Sequence, residues 1–107
     1  MEVIKELYKT ILKRKSEKSE NSYTCYLFEK GLDKILKKCG EECSETIIAA
    51  KNGDNNETVN EICDLMYHVL VLMAELNIDI NSIEEELKIR NLKVGNLKSI
   101  KNTDIYT

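Results

Sequence analysis

Apolar side chains recur at helical spacing in four parts of the chain, and this pattern predicts an all-α fold. The first stretch, residues 2–14, and the last, residues 82–93, read as amphipathic helices. Residues 31–52 predict a long helix with an apolar side and a charged side. Residues 56–76 predict another helix that is apolar around most of its circumference. The pattern therefore predicts a four-helix-type bundle.

The segments between these helices carry turn and loop signals. Residues 14–24, rich in Lys, Ser, Glu and Asn without an apolar period, predict a mobile connection, and residues 26–28 predict a short docked segment. Residues 53–56, Gly-Asp-Asn-Asn, predict a tight turn that makes the two long helices antiparallel neighbours. Ser82 and Glu85 offer a capping box for the last helix.

The length bounds the size of the hydrophobic core. A chain of 107 residues predicts one domain, which we place at residues 1–94, followed by a poorly ordered polar tail at residues 95–107. One small chain cannot easily cover a helix that is apolar on most sides. We therefore expect a homodimer, in which the two long helices pack against their symmetry mates and complete the core.

Charge and hydropathy exclude several classes of partner. The net charge is −3 and the basic residues are spread among acidic ones, so nucleic acid is not an expected partner. No apolar run approaches the roughly 20 residues that a membrane span requires, and no signal peptide or anchor is predicted. These features predict a cytoplasmic protein.

Ionisable groups interrupt the apolar surface of residues 56–76 along one thin line. Its members are Glu61, Asp64, His68 and Glu75. Carboxylates on the single polar seam of an otherwise apolar helix need partners. A second acidic set lies on the preceding helix: Glu41, Glu42 and Glu45.

The spacing of these acids places them in register across the predicted turn. The pairs Glu45–Glu61 and Glu42–Asp64 are both symmetric about Gly53, so they form two rungs about one helical turn apart. Carboxylates that converge in this way are typical of a site for a hard cation such as Mg²⁺, with Mn²⁺ as an alternative. Such an ion would neutralise their repulsion and bridge phosphate oxygens.

Simpler interpretations exist for each feature. The acids of residues 41–45 could be a solvated face paired with neighbouring lysines, and Glu75 could be merely solvated. For His68 we favour a hydrogen bond that orients a neighbour over a role as a metal ligand. The cysteines read as small buried hydrophobes in a reducing compartment. The alternative is a zinc site built from Cys39, Cys43, Cys63 and His68.

Three strings of residues together resemble the phosphoribosyl-ATP pyrophosphatase family of histidine biosynthesis, which is related to the MazG-like all-α nucleotide pyrophosphatases. They are Gly31-x-x-Lys34-Ile35-x-Lys37-Lys38-x-Gly40-Glu41-Glu42-x-x-Glu45, then Ile48-Ala49-Ala50-Lys51, and finally Glu61-x-x-Asp64-Leu65-x-Tyr67-His68. Ser22-Tyr23-Thr24 followed by Leu27-Phe28 also matches the family pattern. The similarity covers roughly residues 2–93.

The resemblance implies hydrolysis of 1-(5-phosphoribosyl)-ATP to 1-(5-phosphoribosyl)-AMP and pyrophosphate, with Mg²⁺ as cofactor. By the family pattern the metal ligands would be Glu42, Glu45, Glu61 and Asp64, and Glu41 would assist as a ligand or as a base. The same pattern implies contacts with substrate phosphates from Lys34, Lys38 and Lys51. It also implies a segment that closes over the substrate: Ser22, Tyr23 and Thr24.

Two other functions remain open at this point. One is a house-cleaning pyrophosphatase of the same superfamily that acts on non-standard nucleoside triphosphates. The other is a helical dimerisation module or antitoxin-like partner whose acids are surface charges alone.

Overall fold

The computed structural model describes residues 2–94, and this part of the chain contains helices and no strand. The five helices are α1 (Glu2–Ser16), α2 (Tyr23–Lys30), α3 (Leu32–Lys51), α4 (Asn55–Glu75) and α5 (Ile80–Asn91). The predicted all-α fold is confirmed, with one short helix, α2, added to the four expected ones. The predicted tail at residues 95–107 lies outside the described residues.

Three of the helices begin at a side chain that accepts a hydrogen bond from a backbone N–H of the first turn. Ser22 accepts from Cys25, Asp54 from Glu57 and Asp79 from Asn81, at N···O distances of 2.9–3.1 Å. The capping box predicted at residues 82–85 is wrong. Because Asp79 already caps the first turn, α5 begins at Ile80, two residues before the predicted start.

Helix α2 occupies part of the segment predicted to be a mobile connection or a docked stretch. It has eight residues, too few for an apolar period to stand out from the sequence alone. Gly31 separates α2 from α3 with φ at 90°, a conformation that glycine adopts without steric cost. The connection between α1 and α2 therefore shrinks to residues 17–22, with Asn21 also at positive φ.

The core forms where α1 and α2 pack against α3 and the second half of α4. Its buried side chains are Tyr8, Ile11, Leu27, Ile35, Leu70, Val71, Met73 and Ala74. Polar contacts reinforce the end of α4: Tyr8 donates its hydroxyl hydrogen to the carbonyl of Ile78, and Lys15 donates to the carbonyl of Ala74. Helix α5 buries no residue of its own and is tied to α1 by the Lys5–Glu84 ion pair at 2.8 Å.

A large apolar surface remains uncovered on the protomer. On α4, one exposed stripe at helical spacing runs through Val59, Ile62, Met66 and Val69, and α3 exposes Leu36, Ile47 and Ile48. Cys25 and Cys39 are half-buried, but Cys43 and Cys63 are exposed, so the prediction of buried cysteines is wrong for these two in the protomer. None of the helices in residues 2–94 is long and apolar enough to cross a membrane.

Candidate metal and substrate site

The acids predicted to converge lie where α3 and α4 run side by side. The turn that joins the two helices includes Gly53, whose φ of 73° suits glycine, and it makes them antiparallel. Glu42, Glu45 and Glu61 each offer a carboxylate oxygen within 4.8 Å of the others. The rung that pairs Glu45 with Glu61 is therefore present in the structure.

Two oxygens of this group are buried without a hydrogen-bond partner. Glu42 is only 6% exposed, and its Oε2 atom has no partner within the described residues. The same holds for Oε2 of Glu61. A buried carboxylate oxygen without a partner is unfavourable, and native proteins contain few of them. Both atoms belong to the same cluster of carboxylates, and a cation bound there would give each of them a partner.

The close approach of the carboxylates changes the acidity of Glu61. Its pKa is raised from about 4.5 to about 7. The largest cause is the nearby carboxylate of Glu45 and then that of Glu57, because each can accept a hydrogen bond only from the protonated form of Glu61. Burial and repulsion from the same two charges follow. The site thus holds more negative charge than it can stabilise by itself.

A lysine partly balances this charge on the α3 side. Nζ of Lys38 lies 3.1 Å from Oε2 of Glu41 and 3.5 Å from Oε1 of Glu42. The hydrogen bond from Lys38 lowers the pKa of Glu41, and the same bond raises the pKa of Lys38. Both groups therefore stay charged at neutral pH.

Asp64 lies one turn beyond Glu61 but outside the group of three. Its side chain is exposed, and its backbone carbonyl accepts a hydrogen bond from Nδ1 of His68 at 2.7 Å. The structure thus brings together three of the four acids predicted as metal ligands. The role of Asp64 as a ligand stays a prediction.

His68 and Tyr67 connect this helix to the beginning of α2. A carbonyl can only accept, so Nδ1 of His68 carries the hydrogen, and in the neutral ring Nε2 accepts from the hydroxyl of Tyr23 at 2.8 Å. The hydroxyl groups of Thr24 and Tyr67 also form a hydrogen bond. His68 is buried and its ring packs edge-on against that of Tyr23. These two contacts place the predicted substrate segment beside α4.

The remaining predicted substrate residues differ in their surroundings. Ser22 uses its side-chain oxygen to cap α2. Lys34 is half-buried and Lys51 is exposed at the end of α3, and neither takes part in an ion pair within residues 2–94. The pKa of Tyr23 is raised, mainly by burial. The charge of Lys38 lowers this pKa and that of Glu42 raises it, so Tyr23 lies close enough to the acidic group to be influenced by its charges.

The alternative zinc site does not assemble in the structure. Within residues 2–94, the three glutamates form the only group of potential ligands close enough to hold a metal ion. Cys39, Cys43, Cys63 and His68 are not brought together. His68 already uses both ring nitrogens in hydrogen bonds, as expected for an orienting residue.

The donor set fits a hard divalent cation. Octahedral Mg²⁺ binds oxygens at about 2.0–2.1 Å, so neighbouring ligand atoms are about 3 Å apart and opposite ones about 4.2 Å apart. The oxygens of the glutamates lie within 4.8 Å of one another, so small movements of the side chains would bring them to these separations. Carboxylate oxygens are also the ligand type that Mg²⁺ and Mn²⁺ prefer.

Comparison with known proteins identifies the family. A family model described as phosphoribosyl-ATP pyrophosphohydrolase matches residues 4–91. The chain belongs to the phosphoribosyl-ATP pyrophosphohydrolase family. The resemblance inferred from the motifs is thereby confirmed, and so is the prediction that the protein is an enzyme of the hydrolase class. A non-enzymatic dimerisation module is excluded.

Individual relatives of this family are similar over nearly their whole length. A protein of Clostridium novyi (strain NT) named phosphoribosyl-ATP pyrophosphatase is 54% identical over 98 residues, covering 92% of this chain and 89% of the relative. Proteins with the same name from Listeria welshimeri and Streptococcus sanguinis are 53% and 46% identical. They cover 95% and 97% of this chain, and 98% and 100% of their own lengths.

The sequence analysis did not assign a role to two residues that lie close to the predicted site residues. Glu57 stands one turn before Glu61 and contributes to its raised pKa. A spacing of four on a helix already places the two on one side, so the signal was available. Tyr67 belongs to the last of the three strings, but its hydrogen bond to Thr24 depends on α2, a helix that the apolar pattern does not predict.

Proposed function

We propose that this protein hydrolyses 1-(5-phosphoribosyl)-ATP to 1-(5-phosphoribosyl)-AMP and pyrophosphate, the second step of histidine biosynthesis, with Mg²⁺ as cofactor. The observation that carries the proposal is the convergence of the Glu42, Glu45 and Glu61 carboxylates. Two of their oxygens are buried without a hydrogen-bond partner. Membership of the family supports the choice of substrate. The reaction adds water across the α–β phosphoanhydride and releases pyrophosphate.

The acids would hold the metal ion at the α3–α4 interface. The expected ligands are Glu42, Glu45, Glu61 and Asp64, and Glu41 would serve as a further ligand or as a base for water. When bound, the ion would neutralise phosphate charge and lower the pKa of a coordinated water. The high local negative charge, visible in the raised pKa of Glu61, supports cation binding at this position.

Basic and hydroxyl groups around the acids would bind the nucleotide. Lys38 already stands next to Glu41 and Glu42, where it can contact a phosphate that shares the metal. Lys34 and Lys51 would supply further positive charge, because a triphosphate carries more charge than one divalent ion neutralises. The segment of residues 22–24 would close over the substrate from the α2 side.

The uncovered apolar surface of α3 and α4 supports a homodimer. Exposed apolar stripes of this extent are uncommon on monomers and are typical of interfaces. A partner that covered Ile62 and Met66 would also cover the exposed Cys63 between them on the same helix. The four free thiols in the described residues fit a reducing compartment, which supports a cytoplasmic location.

The decisive experiment compares substrates with and without Mg²⁺. Purified protein is incubated with phosphoribosyl-ATP and, separately, with a panel of deoxynucleoside and non-standard nucleoside triphosphates, and pyrophosphate release is measured. We expect Mg²⁺-dependent cleavage of phosphoribosyl-ATP with kcat/KM far above that for any triphosphate in the panel. Rapid cleavage of the panel without cleavage of phosphoribosyl-ATP would instead support a house-cleaning pyrophosphatase.

A further inference from the structure

A polar cavity of about 360 Å³ lies beside Tyr23. It forms between the last turn of α1, the connection of residues 19–22 and the first turn of α2. Its walls include Arg14, Glu20, Asn21, Ser22, Tyr23 and Tyr67. This volume falls in the range of about 300–1,000 Å³ that is usual for small-molecule sites.

The cavity offers donors suited to a phosphate. Arg14 is the only basic side chain in its lining, and no ion pair within residues 2–94 involves it, so its guanidinium is free to bind an anion in a bidentate manner. In the first turn of α2, Cys25 donates its backbone N–H to the cap Ser22. The amides of Tyr23 and Thr24 belong to the same turn and have no acceptor within the helix.

Tyr23 links this cavity to the acidic group. Tyr23 lines the cavity, and its hydroxyl forms a hydrogen bond with Nε2 of His68. The other ring nitrogen of His68 forms a hydrogen bond with the backbone carbonyl of Asp64. Glu42 and Lys38 both influence the pKa of Tyr23 through space. Tyr23 therefore lines the cavity and is connected, through His68, to the helix that carries Glu61 and Asp64.

The proposed substrate has two separate anionic ends. Its triphosphate would lie at the metal, while the ribose 5-phosphate attached to the base is a second phosphate that ordinary nucleoside triphosphates lack. Resting on the function proposed above, we propose that this cavity binds the 5-phosphoribosyl group, with Arg14 bound to its phosphate and Asn21 and Ser22 beside its ribose hydroxyls. Arg14 is then the residue that distinguishes phosphoribosyl-ATP from ATP.

The test compares Arg14→Gln and Arg14→Lys with the matched control Lys13→Gln, which changes the neighbouring basic residue of the same helical turn outside the cavity. We expect Arg14→Gln to raise KM for phosphoribosyl-ATP at least tenfold, and Arg14→Lys to raise it less because a charge remains without the bidentate fork. Lys13→Gln should keep the wild-type KM for phosphoribosyl-ATP. Equal KM values for Arg14→Gln and Lys13→Gln would overturn the proposal.

A binding measurement separates this proposal from the function on which it rests. Ribose 5-phosphate, with ribose as control, is titrated into the wild-type protein and into Arg14→Gln by NMR. We expect shifts at residues 19–24 that depend on the phosphate and on Arg14. If the wild type binds ribose 5-phosphate in this way but does not cleave phosphoribosyl-ATP, the proposed reaction is refuted and the proposed binding cavity is supported. Cleavage of phosphoribosyl-ATP without this binding of ribose 5-phosphate would refute the proposed cavity and leave the proposed reaction intact.

Discussion

The hydroxyl of Tyr23 donates a hydrogen bond to Nε2 of His68 across 2.8 Å and joins the beginning of α2 to the helix that carries Glu61 and Asp64. In the neutral ring, the hydrogen that Nδ1 donates to the carbonyl of Asp64 leaves Nε2 as the acceptor. A single imidazole thus sets the distance between the segment proposed to cover the substrate and the acids proposed to bind metal.

The contribution of this hydrogen bond can be measured with a double-mutant cycle. Tyr23→Phe removes the donor, and His68→Asn keeps a donor for Asp64 but removes the acceptor. Each should raise KM about fivefold, since a neutral hydrogen bond contributes about 1 kcal/mol. The double variant should be no worse than either single one. His68→Gln, whose side-chain oxygen can replace Nε2, should restore much of the loss, and additive effects would contradict the coupling.

The raised pKa of Glu61 predicts a pH-dependent stability in the absence of metal. Between about pH 4.5 and pH 7 the folded state holds a proton on Glu61 that the unfolded state has already released, so stability is lost as pH rises through this window. In EDTA, Glu61→Gln should therefore melt above the wild type at pH 8 and level with it below pH 4.5. Differential scanning fluorimetry of both proteins provides the measurement. A difference in melting temperature that stays constant across pH would contradict a raised pKa of Glu61.

Metal binding should depend on the same carboxylates. Glu42→Gln and Glu61→Gln should weaken Mg²⁺ or Mn²⁺ binding by at least about tenfold in calorimetric titrations, because even residues behind the ligands commonly contribute that much. Glu29→Gln, an exposed acid on α2, is the control and should bind as the wild type does. Glu61→Gln and Asp64→Asn should both abolish turnover while circular dichroism stays helical. Full activity in either would refute the ligand assignment.

Lys15 should contribute to the stability of the fold without contacting the acidic group of α3 and α4. Its ammonium donates to the carbonyl of Ala74 at 2.7 Å and to Oδ1 of Asn77 at 2.9 Å, at the end of α4 where a cation is favoured. Lys15→Met should lower the free energy of unfolding by about 1–2 kcal/mol, since bonds to charged groups exceed neutral ones. Urea denaturation measures this loss. Lys13→Met, exposed on the same turn, should leave stability nearly unchanged.

The proposed dimer can be tested at the apolar stripe of α4. Met66→Glu places a charge in the middle of Val59, Ile62 and Val69, and burying that charge in an interface is unfavourable. Light scattering after size exclusion should show twice the chain mass for the wild type and a smaller species for Met66→Glu. Leu92→Glu, at an exposed position after α5, should not change the mass. A wild-type monomer would contradict the proposal.

The amino-acid sequence alone determined the helical class, the two long helices, and the register of Glu45 opposite Glu61, because apolar periodicity and a turn at Gly53 are local signals. It also carried the motifs that identify the family. Tertiary structure decided what local signals cannot express: that Glu42, Glu45 and Glu61 converge while Asp64 lies aside, and that α2 is a helix bound through Tyr23 and Thr24 to His68 and Tyr67. The first arrangement depends on how α3 packs against α4, and the second joins side chains more than 40 residues apart in the chain. Packing between helices sets both.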